Sequence, residues 1–233
     1  MGEYWKIILP VLMLTAATAC DDGKIYDDLA SDAGSEGAAT VMFSGDVTGI
    51  DTWTGDYAVV VAGFSDSDYA EVSKPVSGTG LEMGGITGDI TAIELCVINR
   101  LRKRVATFAS TEAVKGSDGH IHFDVGKVNA GMYDAIQTAV FDAACVQCHG
   151  GSNHSAAQLN LTSLESYAGL VNAASVKSSD KMRVAPGDPS ASVLWLALAT
   201  GLSERWAYHH HTIITNTTSV DLVKNWIGGG AKK

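Results

Sequence analysis

From Thr40 to about Val128 the large apolar residues alternate with polar ones or gather in short β-branched runs: ATVMFSGDV, DYAVVVAGF, ITAIELCVIN, RVATFAS and HIHFDV. Successive side chains of a strand point to opposite faces. This pattern, punctuated by Gly, Asp, Ser and Asn, therefore predicts strands joined by turns. The expected form of residues 40–127 is an antiparallel, sandwich-like β domain of about ninety residues, large enough for its own core. The basic run NRLRKR, residues 99–104, falls between two of the strands and reads as a charged hairpin end. Cys96, between Leu95 and Val97, fits a small buried core residue. His120 and His122 share one strand face with no third ligand nearby, which favours an exposed face over a metal centre.

After Gly131 the period changes. Tyr133, Ile136, Gln137, Val140, Phe141 and Ala144 recur at steps of three and four, so a helix should run into the cysteines that follow. Thr162 to Glu165, TSLE, has capping-box spacing and should open a second helix through Leu170. Asp188 before Pro189 suits the cap and first turn of a third, Ser190 to Leu198. Ser219 precedes a fourth apolar stripe, Val220, Leu222, Val223, Trp226 and Ile227, which stops at three glycines. Residues 128–233 are therefore expected to form a small all-α domain.

Charge sharpens the division. Residues 1–127 hold 19 acidic and 9 basic side chains against 7 and 7 in 128–233, so the whole net charge of −10 lies in the first part. That sign excludes a nucleic-acid partner, which demands Lys and Arg in excess. The first nineteen residues read as an export signal, with Lys6 ahead of the apolar run Ile7 to Leu14 and small residues up to Ala19. Cys20, right after Ala17-Thr18-Ala19, resembles the lipid-modified cysteine of bacterial lipoproteins. Residues 20–39, rich in Asp, Ser, Gly and Ala, read as an acidic tether between that anchor and the folded body. The expected location is the periplasmic or cell-surface side of a bacterial membrane.

Two of the four cysteines lie in CVQCH, Cys145 to His149. The cluster could hold a bare metal, form a redox disulfide or attach haem covalently. Zinc needs a second set of paired ligands, which the sequence does not place at zinc-finger spacing. A redox C-x-x-C belongs beside a strand in a βαβ unit, whereas this one follows a predicted helix. C-x-x-C-H is the spacing for one covalent haem c: two thiols for the vinyl groups, and an imidazole for the iron.

CVQCHGG, the leucines of LNLTS, AGLVN, RVAPGDPSAS and VKNWIGGGA together resemble the single-haem class I cytochrome c domains of exported bacterial proteins, over about residues 128–233. The resemblance implies thioethers at Cys145 and Cys148 and proximal ligation by His149, with Val184, Leu194, Trp195 and Trp226 helping to bury the macrocycle. Family members commonly carry a Met-Pro pair in the loop before the last helix. Here that loop reads RWAYHHHTIITN, so His209, His210 or His211 is the expected second axial ligand, with Met182 the alternative. His154 is expected at the surface. The expected function is electron transfer to redox partner proteins, without substrate chemistry of its own. A haem-based sensor or enzyme with a displaceable histidine, and a binding or assembly protein with an accessory haem, are the alternatives.

Overall fold

The structure, a computed structural model, describes residues 38–151, 155–206 and 208–233. The expected export signal, Cys20, all but the end of the tether and His154 lie outside them. Strands β1 (Ala39–Thr48), β2 (Tyr57–Phe64), β3 (Val72–Pro75), β4 (Gly80–Ile86), β5 (Ala92–Asn99), β6 (Arg104–Glu112) and β7 (Ile121–Asn129) form two sheets. Their orders are β4-β1-β7 and β3-β2-β5-β6. β2 and β5, central in the larger sheet, are buried on both faces, which is why they read as nearly unbroken apolar runs. Val59, Val61, Ile93, Leu95 and Val97 face Val41, Phe43, Met83, Ile121 and Phe123 of the smaller sheet in one core. On the other face Ala58, Val60, Ala62, Phe64, Cys96 and Ile98 form a second buried cluster with Ala70. Cys96 is fully enclosed there, and burial, reinforced by Glu94, pushes its thiol pKa up.

The basic run forms the β5–β6 turn. The Asn99 side chain accepts from the backbone N–H of Leu101 and Lys103, each at 3.0 Å, and Arg102 takes the left-handed conformation. Arg104 donates to Glu94 and, at 2.9 Å, to Asp68, while its guanidinium covers the Phe64 ring at 4.6 Å. Thr107 gives Glu94 a further bond of 2.7 Å. Glu94→Ala would leave Arg104 and Thr107 short of an acceptor beside the sheet, where a lost buried partner costs about 1–3 kcal/mol. Urea unfolding should show a loss of that size.

The C-terminal half comprises α1 (Met132–Ile136), α2 (Val146–His149), α3 (Ser166–Leu170), α4 (Val193–Ala199) and α5 (Thr217–Gly228). A π-helical stretch, Gln137–Cys145, joins the first two. The rest is 3-10 turns, loops and isolated bridges such as Val171 with Val184 and Met182 with Ser192. No described helix is long and apolar enough to cross a membrane.

This architecture overturns the expected pairing of an antiparallel sandwich with a small all-α cytochrome c domain. β1 and β7 pair in parallel, Val41 opposite Ile121 through Thr48 opposite Asn129, so the smaller sheet is mixed. The C-terminal half is a set of short helical pieces rather than an all-α bundle. Only α5 reaches twelve residues, near the length at which an isolated helix begins to hold, so the shorter ones depend on tertiary packing. The capping box does not form: Thr162 Oγ1 donates to Asn160 instead, and α3 starts after Glu165. Asn216, not Ser219, caps α5.

An apolar seam ties the two halves together. Trp53, Tyr57, Val105 and Phe108 from the β half pack against the C-terminal core of Ile136, Val140, Phe141, Leu222, Trp226 and Ile227. Trp53 Nε1 donates to Ala130 O at 2.6 Å, Met132 N to Thr52 Oγ1 at 2.8 Å, and Asn225 Nδ2 to Tyr57 Oη at 2.8 Å. Inside that core Tyr133 donates to Ser166, which donates to Gln137, which donates to Leu161 O and Asp142, so the buried polar groups are satisfied.

Candidate functional site

The helical run changes pitch just before the cysteines. Across Gln137–Cys145 the backbone bonds are of π type, and the last turn closes with Val146 N donating to Phe141 O. A π turn holds more residues than an α turn and is frequent at functional sites. Here Val140 and Phe141 are fully buried in the core, while Cys145, Cys148 and His149 line a cavity. Gly150 lets the chain turn away directly afterwards: a Cβ there would lie 2.5 Å from the Val146 carbonyl oxygen.

The cavity holds about 610 Å³, within the span of about 300–1,000 Å³ usual for small-molecule and cofactor sites. Leu159, Leu161, Leu170, Val193, Leu194 and Leu198 make its walls apolar. The polar groups reaching it include the two cysteines, His149, Arg183 and His210.

His149 Nδ1 lies 2.9 Å from Ala156 O and 3.3 Å from Leu159 O. A carbonyl only accepts, so Nδ1 carries the proton and the Nε2 lone pair is left for another partner. His210 repeats the arrangement, with Nδ1 3.2 Å from Tyr208 O. Its backbone N–H is held by Ser203 Oγ at 3.0 Å, and Trp206 and Tyr208 stand edge-on to its ring. Burial, and secondarily His149, hold the His210 imidazole below its usual pKa, while the Tyr208 carbonyl opposes them. The neutral, metal-binding form is thereby favoured. The two ring centroids lie 6.1 Å apart with planes 33° from parallel.

The thiols are free. Burial, and then neighbouring Cys148, push the Cys145 thiol up to about 11, and its Sγ donates to Val140 O at 3.4 Å. Dithiol oxidoreductases need a thiol whose pKa is lowered, and Cys145 is shifted the other way. Among the described residues no group of three or more His, Cys, Asp and Glu is arranged to hold a bare metal ion. His122, on an exposed part of β7, instead pairs with Asp118 at 2.7 Å.

Of the residues singled out from the sequence, the cavity brings together Cys145, Cys148, His149, Leu194 and His210. Val184 and Trp226 are buried in the adjoining core, and Trp226 donates to Lys232 O. Trp195 lies beneath the Lys224 ammonium, and Met182 is 44% exposed on its bridge to Ser192. His209 and His211 pack on each other, and neither is among the residues lining the cavity. Trp206 and Arg183 are cavity residues that periodicity and spacing did not single out.

The residues present fit a covalently held haem. A metal–imidazole bond is about 2 Å long, so two imidazoles on opposite sides of one ion have ring centres about 6 Å apart. A haem would need only imidazole ligands from the chain, and His149 and His210 are the cavity residues that could supply them. No protein-family model matches the chain, and no characterised protein or solved structure is significantly similar to it.

Proposed function

We propose that the chain is an exported, membrane-anchored monohaem c-type cytochrome that passes single electrons between redox proteins. One observation carries this reading: His149 and His210, each with Nδ1 tied to a backbone carbonyl, bring their ring centroids within 6.1 Å at a cavity that both free cysteines line. Cys145 and Cys148 would each add across a haem vinyl group. A sulfur–carbon bond forms and the thiol proton goes to the neighbouring carbon, so no oxidant is consumed. His149 Nε2 would bind the iron from the motif side and His210 Nε2 from the other. Haem, when bound, supplies an iron that cycles between two oxidation states.

The surrounding residues suit transfer without bond making. With His149 and His210 both holding it, an iron would keep no position for a further ligand, and Leu159, Leu161, Leu170, Leu194 and Leu198 would give the group apolar walls. The Nδ1–H bonds to carbonyls orient both rings. Ligation by two histidines also implies a lower potential than a Met-ligated relative has. Export and a lipid anchor at Cys20 rest on the sequence of residues 1–20.

The test is expression with a cytochrome c maturation system. The expected product carries haem that survives denaturation, shows a six-coordinate spectrum and is indifferent to carbon monoxide when reduced. Absence of covalent haem would overturn the reading. Rapid carbon monoxide binding would instead favour a sensor or enzyme with a displaceable His210, which sits at the start of a short 3-10 turn, His210–Thr212.

A further inference from the structure

We propose that Arg183 is a positioning residue for His149, acting through the loop that follows the cysteine motif; the inference rests on the haem reading above. Arg183 Nη1 donates to Gly169 O at 2.8 Å, and Nη2 donates to Ala157 O and Gln158 O, both at 3.0 Å. Its own backbone is pinned on both sides, N–H to Ala173 O at 2.7 Å and C=O from Leu194 N at 3.0 Å. No described ion pair includes it, so its guanidinium lies at the cavity wall facing carbonyls rather than a carboxylate.

The loop it grips is strained. Ala157 and Gln158 are consecutive non-glycine residues in the left-handed region, with φ of 54° and 55°. That conformation is disfavoured for an L-residue and persists only where surroundings impose it. Arg183 bonds the carbonyls of these two residues. The carbonyls on either side of them, Ala156 O and Leu159 O, are the ones that His149 Nδ1 meets. One fork thus fixes a strained pair whose flanking carbonyls set the orientation of the proximal imidazole. Lysine would keep the charge but not the fork, because an ammonium cannot reproduce the planar geometry.

The haem-loaded full chain, labelled with 15N-histidine and reduced, tests this in wild type, Arg183→Lys and Ala157→Gly/Gln158→Gly backgrounds. Solvent exchange of the His149 Nδ1 proton should be about tenfold faster in R183K, the lower end of what losing outer-shell partners costs elsewhere. The midpoint potential should shift upward, since a weaker Nδ1–H bond makes the imidazole a poorer donor to ferric iron while the charge at 183 is kept. Glycine accepts the left-handed conformation without strain, so in the double-glycine background the R183K effect should shrink. Unchanged exchange and potential in R183K, or an equal effect in both backgrounds, would overturn the inference while leaving the haem reading intact. Wild-type protein without covalent haem would overturn both.

Discussion

Haem that survives denaturation is expected to vanish when Cys145 and Cys148 are both replaced by alanine, and each single variant is expected to hold it by one bond. The two thiols do not sit alike. Cys148 is exposed, whereas Cys145 is half-buried with Sγ against the Val140 carbonyl. Burial first, and Cys148 second, keep the Cys145 thiol protonated to about pH 11, so before haem attachment it is a poor redox nucleophile at neutral pH. Replacement by alanine removes one sulfur at the edge of the core and no buried charge, so the fold should persist. Mass spectrometry of the denatured chain decides the outcome: wild type heavier by one haem, the double variant by none. A double variant that keeps covalent haem would place the attachment elsewhere.

His210→Met is expected to raise the midpoint potential by about 100 mV or more, within the roughly 0.8 V that axial ligands span. Thioether sulfur favours ferrous iron relative to imidazole nitrogen, and the change is confined to one side of the site. His209→Ala and His211→Ala should leave the potential nearly where it was, because neither is among the residues lining the cavity. His210→Ala should open the iron to carbon monoxide. A spectroelectrochemical titration of the four proteins checks the series. A large shift in the His209 or His211 variant, with none at His210, would move the second ligand to a neighbour.

Much of the β half was legible because burial writes itself into sequence, as alternation where one face of a strand is covered and as an unbroken apolar run where both are, in β2 and β5. β1, β2, β5, β6 and β7 coincide with the apolar runs of residues 40–128. β3 is only four residues long, and β4, GLEMGGI, is nearly half glycine, so neither carries enough pattern to be read. The parallel pairing of β1 with β7 joins segments about eighty residues apart, a relation that alternation cannot encode. In the other half the three- and four-residue steps before the cysteines do mark a helix, but apolar spacing over so short a stretch does not separate an α turn from a π turn.

At the site, the attachment motif stands out because its chemistry depends on contiguous residues. Which of the three adjacent histidines reaches the cavity did not, since they look alike until the chain is folded. What separates them is local backbone: Tyr208 O meets His210 Nδ1, Ser203 holds the His210 amide, and the His210 ring centroid comes within 6.1 Å of that of His149. Arg183 was invisible for a similar reason. Nothing in RVAPGDP shows that its guanidinium reaches back to carbonyls twenty-five residues earlier.

The seam of Trp53, Tyr57 and Phe108 against the helical core bears on how such a protein would be used. Bonds such as Asn225 to Tyr57 cross it, so the helical half that holds the cavity is joined to the sheets by packing and hydrogen bonds as well as by the chain. It is carried like a lamp on a bracket, at one attitude to the strands that bear it. For the electron carrier proposed above, a redox partner would have to come to that attitude, and the pace of exchange would be set by encounter.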